Sequence, residues 1–146
     1  MQAAVTRYRC EMDLERNKAV VRELDALTNG EGDLARLDEL CTPDIMNHAL
    51  GPNGRRGIEA TREFLKKPRR GWWVNSHVIA EGDWVIQFGS REFEWGGGPF
   101  RGFEAPAGTC ARDVAFAYRL VDGRVAERWA VRDDLTMLLQ LGALKR

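Results

Sequence analysis

The side chains best suited to chemistry here are two histidines and two carboxylates. His48 and His77 are the only histidines in the sequence. Imidazole titrates near neutrality, so either can take or give a proton at working pH. Asp133 and Glu127 are candidate acid/base carboxylates, since apolar surroundings raise such groups toward the useful range. Each has a competing structural reading. The histidines can be hydrogen-bonded residues at strand ends. Asp133 can pair with Arg112, and Glu127 with Arg119 or the Tyr118 hydroxyl. Of the five tryptophans, Trp73, Trp95 and Trp129 offer flat walls to a planar substrate, with core packing as the alternative.

Other chemistries lack their residues. Two distant histidines, with no His-x-His or His-Glu-x-x-His spacing, argue against a zinc site. Gly96–Gly98 precede Pro99 and a loop rather than a helix, so they are no phosphate cradle. There is no Gly-x-Ser-x-Gly nucleophile elbow.

The 146 residues predict one domain over 1–146. Lys+Arg 22 balances Asp+Glu 22, which disfavours nucleic-acid binding. The basic run Lys66-Lys67-Pro68-Arg69-Arg70 reads as a solvated loop. Cys10, Cys41 and Cys110 imply no disulfide framework, and a reducing cytoplasm is expected; Cys41 and Cys110 sit in apolar patterns. No apolar run suits a membrane span or a signal peptide.

The elements that must carry these residues follow from periodicity and breakers. Residues 1–12 form an arm or extend the first helix, Asp13–Asn29, whose buried stripe is Val20, Val21, Leu24 and Leu27. Gly30 and Gly32 end it, and Asp33 caps a short helix to Cys41. Asp44–His48 is a brief strand and Ala49–Arg56 a turn. Gly57–Lys66 is a third helix burying Ile58, Phe64 and Leu65. Strands follow at Trp72–Ala80, Trp84–Trp95, Thr109–Val121 and Arg124–Asp133, the last two joined by Asp122-Gly123, a strong hairpin signal. A loop holds Pro106-Ala107-Gly108, and a short helix, Leu135–Leu141, closes the chain. Helices followed by antiparallel strands give an α+β fold.

Strand alternation assigns faces. In the last strand Val125, Glu127, Trp129, Val131 and Asp133 carry the larger apolar surface and are placed inward, leaving Arg128, Ala130 and Arg132 outward. The two-residue turn then sets Tyr118 opposite Glu127, Phe116 opposite Trp129 and Arg112 opposite Asp133. Arg112, Val114, Phe116 and Tyr118 are thereby inward. Asp113, Ala115, Ala117, Ala126 and Ala130 make a small-residue face suited to a dimer surface, with Trp72 and Trp84 in the outward register. For Trp73–Ile79 alternation leaves both registers open.

The ordered set of local motifs resembles the SnoaL-like polyketide cyclases of the nuclear transport factor 2-like superfamily. It comprises the Asn29–His48 passage, Ala80-Glu81-Gly82-Asp83-Trp84-Val85, Gly98-Pro99-Phe100-Arg101-Gly102 with Pro106-Ala107-Gly108, Tyr118-Arg119 with Asp122–Trp129, and Leu139-Gln140-Leu141-Gly142. Together they cover nearly the whole chain. The resemblance implies a cone-shaped α+β barrel, three N-terminal helices packed on a curved antiparallel sheet around a small-molecule cavity. It also implies action without metal or organic cofactor, and a homodimer. It makes Trp73, Asn75, His77 and Ile79 the inward set, matched by Val85, Gln87, Gly89, Arg91, Phe93 and Trp95 on the partner strand.

The chain departs from its relatives where it matters. Many of them read Glu-His-Trp-Asp; this chain reads Glu127-Arg128-Trp129-Ala130, and Ala130 cannot replace an acid/base Asp. The limonene epoxide hydrolase-like arrangement is also missing, since Gly89, Arg91 and Val131, with Met46 and His48, stand at its positions.

The resulting expectation is a cofactor-independent cyclase or isomerase of polyketide-type, antibiotic-forming metabolism, acting by proton transfer on a hydrophobic carbonyl substrate. His48, His77 and Asp133 are the proton-transfer candidates. Asn75 and Tyr118 would bind an enolate oxygen, and Arg91 or Arg112 an acidic group on the substrate. Phe116, Glu127 and the three tryptophans complete the lining. The alternatives are a non-catalytic binding protein and an auxiliary subunit docking through Trp72, Trp84 and the alanine-rich face.

Overall fold

The computed structural model describes residues 2–67 and 70–145, with side chains from Glu11 onward except Met12. Cys10's side chain, and Pro68 and Arg69 of the basic run, lie outside the described residues. The first helix, α1, spans Gln2–Thr28, so the N-terminal arm is helical. Val21, Leu24 and Leu27 are buried at helical spacing. Gly30, at φ 79°, ends the helix. Its N–H donates to the Leu27 carbonyl, and the Glu31 N–H reaches back to that of Ala26, the paired bonds of a left-handed C-terminal cap.

Asp33 then accepts a bond from Ala35 N at 2.9 Å. It starts a 3₁₀ turn (Leu34–Arg36) that runs into one α-helical turn, α2 (Leu37–Leu40). The expected single helix is split, and strand β1 (Cys41–Asn47) starts before Pro43 rather than after it. Pro43 is exposed and lies where the β1–β8 ladder is interrupted, between Cys41 and Met46, so its missing N–H breaks no pairing. β2 (Arg55–Arg56) and α3 (Ile58–Leu65) follow. Next come β3 (Gly71–Glu81), β4 (Trp84–Trp95), a small hairpin of β5 (Gly98–Phe100) and β6 (Phe103–Ala105), β7 (Gly108–Val121), β8 (Arg124–Arg132) and α4 (Asp134–Gln140).

The six-stranded sheet has the order β2-β1-β8-β7-β4-β3. It is antiparallel except for the β1–β8 pair, which is parallel. The sheet is curved but does not close, and α1, α2 and α3 cover one face. Its core joins Val21, Leu24, Leu37, Ile45, Val85 and Phe116. A second cluster, Phe93, Cys110, Met137, Leu138 and Leu141, anchors α4 at the far end. No helix among the described residues is long and apolar enough to cross a membrane.

Two β-bulges decide which side chains face the helices. In β3 the register shifts between Trp73, opposite Arg91, and Asn75, opposite Ser90. Val74 is the extra residue. Trp73 stays inward, but Asn75, His77 and Ile79 turn outward, and Ser76, Val78 and Ala80 take the inner face. Gly89 makes this possible, because a Cβ there would sit 2.1 Å from the Asn75 carbonyl oxygen. In β8 the shift lies between Arg119, opposite Glu127, and Leu120, opposite Val125, with Ala126 extra. Val125 is inward, and past it Arg128, Ala130 and Arg132 are inward. Glu127, Trp129, Val131 and Asp133 are outward. The observed pairs are therefore Tyr118 with Arg128, Phe116 with Ala130 and Val114 with Arg132. A one-residue slip exchanges every side chain between faces, and both expected inward sets are corrected for that reason.

Candidate active site

Between the sheet's inner face and the helices lies a cavity of about 310 Å³, at the small end of the range for ligand pockets. Phe64 from α3, Phe93, Val114 and Phe116 from the sheet, and Leu50 from the β1–β2 turn supply apolar walls. Its charged lining is four arginines: Arg91, Arg112, Arg128 and Arg132. They come from β4, β7 and β8, and each is at an inward position of its strand.

The arginines differ in how their charge is met. Arg91 NH1 lies 3.8 Å from Asp25 Oδ1, bonds to Asn29, and sits 5.1 Å from the Trp73 ring centre. Burial pushes its pKa down, against the pull of Asp25. Asp25 is itself only 7% exposed. Its Oδ2 accepts from Trp73 Nε1 at 2.7 Å and from Gln87 Nε2 at 3.4 Å. Arg112 bonds to Asp134, which also meets Arg101 at 2.6 Å and Arg132 at 3.7 Å. Arg128 packs its guanidinium 4.6 Å from the Phe116 ring centre and approaches Asn47 Oδ1 at 3.5 Å. Beneath it, burial raises the pKa of the Tyr118 hydroxyl, opposed by Arg128, which donates a hydrogen bond to it.

Of the residues singled out from sequence, Arg91, Arg112 and Phe116 line this cavity. Tyr118 lies under its floor, and Trp73 stands behind Arg91. Trp95 packs edge-on to Phe100 and donates to the Ala105 carbonyl at 3.1 Å, in the α4 cluster.

The proposed proton-transfer trio does not converge. His48 is on the outer face, stacked on Trp129 with centroids 4.6 Å apart. Its Nε2 is 3.0 Å from Glu127 Oε2. Glu127 also accepts from Arg119 Nε and NH2 at 2.9 and 2.6 Å, so it takes an ion-pair role with the first of its two suggested partners. The bonds from His48 and Arg119 hold its carboxyl below the usual carboxylate range. Trp84 joins this cluster against Trp129. His77 is exposed beside Phe88. Asp133 caps α4, accepting from Thr136 N at 3.0 Å and Thr136 Oγ1 at 2.6 Å. Those bonds hold its pKa down, and the pairing expected between Asp133 and Arg112 belongs to Asp134 instead. Asn75 and Asp133 border a broad groove on the outer face, open to solvent.

Asp25, Asn29, Arg128 and Arg132 were missed from sequence. The signal for the two arginines was present, since alternation put Arg128, Ala130 and Arg132 on one face; the face itself was misassigned. Asp25 carried a weaker signal, a carboxylate four residues after Val21 and thus on the buried side of α1. Among the described residues no three His, Cys, Asp or Glu side chains cluster as metal ligands.

The SnoaL-like polyketide cyclase family model matches residues 18–141. TsrD from Streptomyces laurentii is 25% identical, covering 86% of this chain and 97% of its own, with a TM-score of 0.65. AclR from Streptomyces galilaeus, a proposed hydroxylase, is 22% identical, covering 91% and 85%, with a TM-score of 0.65. A proposed polyketide cyclase from Xanthomonas campestris pv. campestris is 17% identical over 88% and 98%, with a TM-score of 0.71. The latter two likenesses speak for the fold alone. No curated protein matches the chain. With helices packed over a curved α+β sheet around a cavity and a family match over most of its length, the chain belongs to the SnoaL-like polyketide cyclase family, whose role is of the cyclase type.

Proposed function

We propose that this protein closes or isomerises a ring on a carbonyl-bearing small molecule held in the arginine-lined cavity. The observation that carries this reading is the convergence of guanidinium groups on an apolar, half-enclosed space. Donors fixed in such a space stabilise an enolate oxygen far better than water does. Arg91 is the lining donor that faces that oxygen. Asp25 stands behind it, outside the cavity lining, with Oδ2 held by Trp73 and Gln87 and Oδ1 3.8 Å from Arg91 NH1, so it orients that donor. Water in the half-enclosed cavity takes the proton beside the carbonyl, charge builds on the oxygen facing Arg91, and the proton returns after ring closure.

The test is a screen of planar polyketide-like carbonyl compounds by tryptophan fluorescence, with bound compounds incubated and analysed by mass spectrometry. Arg91→Met should bind them and turn them over roughly 10²–10³-fold more slowly. An unchanged rate would remove Arg91 from the mechanism.

Binding without chemistry is the second reading. Its specific support is Ala130, inward and packed on the core where many relatives carry an Asp. Wild-type protein that binds compounds and converts none would favour it.

The outer face supports a homodimer: Ile79, Trp84, Phe88 and Val131 are all exposed there. Sedimentation of wild type against Phe88→Asp tests this, and a wild-type monomer would refute it.

A further inference from the structure

We infer that Arg128 is the seat for a carboxylate on the ligand, so that the cavity takes an aromatic acid in preference to its neutral ester. The inference deepens the proposed function and rests on the same cavity.

Arg128 is 9% exposed and faces the cavity. A guanidinium cannot shed its charge by titration. Buried, it therefore calls for a compensating anion or a full set of acceptors. Its polar contacts are the Asn47 amide oxygen, at 3.5 Å, and the Tyr118 hydroxyl. Both are neutral, and Asn47 Oδ1 is already bonded to Ala49 N at 3.1 Å.

No carboxylate among the described residues forms an ion pair with Arg128. The nearby acids are committed elsewhere. Asp25 faces Arg91, and Asp134 serves Arg112, Arg101 and Arg132. Glu127, next in sequence, is on the opposite face of the sheet with His48 and Arg119. Four cations thus meet two carboxylates around the cavity, and Arg128 is the cation that neither carboxylate reaches. Packing against Phe116 at 4.6 Å holds the planar fork, the geometry that receives a carboxylate through two parallel bonds. The aromatic walls beside it suit the ring system of such an acid.

The experiment measures binding alone, so it is independent of turnover. A panel of one-, two- and three-ring aromatic acids, each paired with its methyl ester, is titrated by tryptophan fluorescence and calorimetry. Wild type should bind its best acid about ten- to a hundredfold more tightly than the matching ester, the worth of a hydrogen bond to a charged group. Arg128→Met should abolish that preference while keeping ester affinity, and Arg128→Lys should restore part of it. Arg101→Gln, outside the cavity lining, should keep it.

Equal affinity for acids and esters in wild type, or binding of neither, overturns the assignment without any variant having to fold. So does a folded Arg128→Met protein that still prefers acids. Conversion of a neutral ketone with no acid preference would sink the Arg128 seat and leave the proposed chemistry standing. Acid preference with no conversion of any compound would do the reverse.

Discussion

Arg91 on β4 and Arg112 on β7 are direct cross-strand partners, yet each turns to a carboxylate on a different helix, Asp25 on α1 and Asp134 on α4. Like charges opposite one another destabilise a sheet. Here α1, on the covered face of the sheet, and α4, at its far end, each bring one neutralising group, so docking α1 and α4 is coupled to holding the cavity's cations apart.

Breaking one of these pairs should therefore cost more than removing it. Asp25→Asn is expected to lower stability by about 3 kcal/mol, because Arg91 stays buried without its carboxylate. Adding Arg91→Met should recover roughly 1–3 kcal/mol of that loss as coupling energy. Urea unfolding of the two single variants and the double variant gives the cycle; strict additivity would show that the ion pair contributes nothing.

Gly89→Ala addresses the β3 bulge. The new methyl would meet the Asn75 backbone oxygen, at a φ of 156°, and a backbone atom cannot swing away as a side chain does. A loss of about 2 kcal/mol or more is expected, read as a lower urea midpoint. Asn75→Ala in the same protein should not rescue it, since the clash is with the carbonyl.

Acid should loosen the outer cluster. The carboxyl of Glu127 titrates below its ordinary value because of His48 and Arg119. Its stabilisation is thus present above the ordinary carboxylate range and lost as pH falls through the depressed folded value. Melting temperatures measured from neutral to acid pH should separate wild type from Glu127→Gln at neutrality and converge under acid. Parallel curves at all pH values would contradict the assignment.

Burial pushes the Cys41 thiol up to about 12 and raises that of Cys110. The reactive thiolate is then scarce at mildly alkaline pH. In a Cys10→Ser background, a thiol reagent should leave both cysteines unlabelled in native protein and label both in urea. Prompt labelling of Cys41 in the native state would show that α2 opens readily.

The helix order, the Gly30 termination, the Asp33 cap, the Asp122-Gly123 hairpin and the β7 inner face were legible because each rests on a local rule: a positive φ, a capping oxygen, an unbroken period of two. Arg112 and Phe116 were found for that reason, and Arg91 through the family resemblance. The errors begin where the period is interrupted. Ala126 and Val74 are each one extra residue in a strand. Neither carries a side chain that marks a bulge, and Gly89, which tolerates the second one, is on the neighbouring strand.

The sequence by itself thus determined the long helix and the long strands, the family and most of the apolar core, through contacts between near neighbours and repeating patterns, while β2 and the β5–β6 hairpin formed where it offered only turns and loops. Only the tertiary structure decided which face Arg128, Arg132, Glu127, His77 and Asn75 occupy. A bulge is set by how two strands pair across the sheet, and one unpaired residue reverses every side chain beyond it. That reversal moved His77 and Asp133 out of the proposed chemistry and put Arg128 and Arg132 in the cavity.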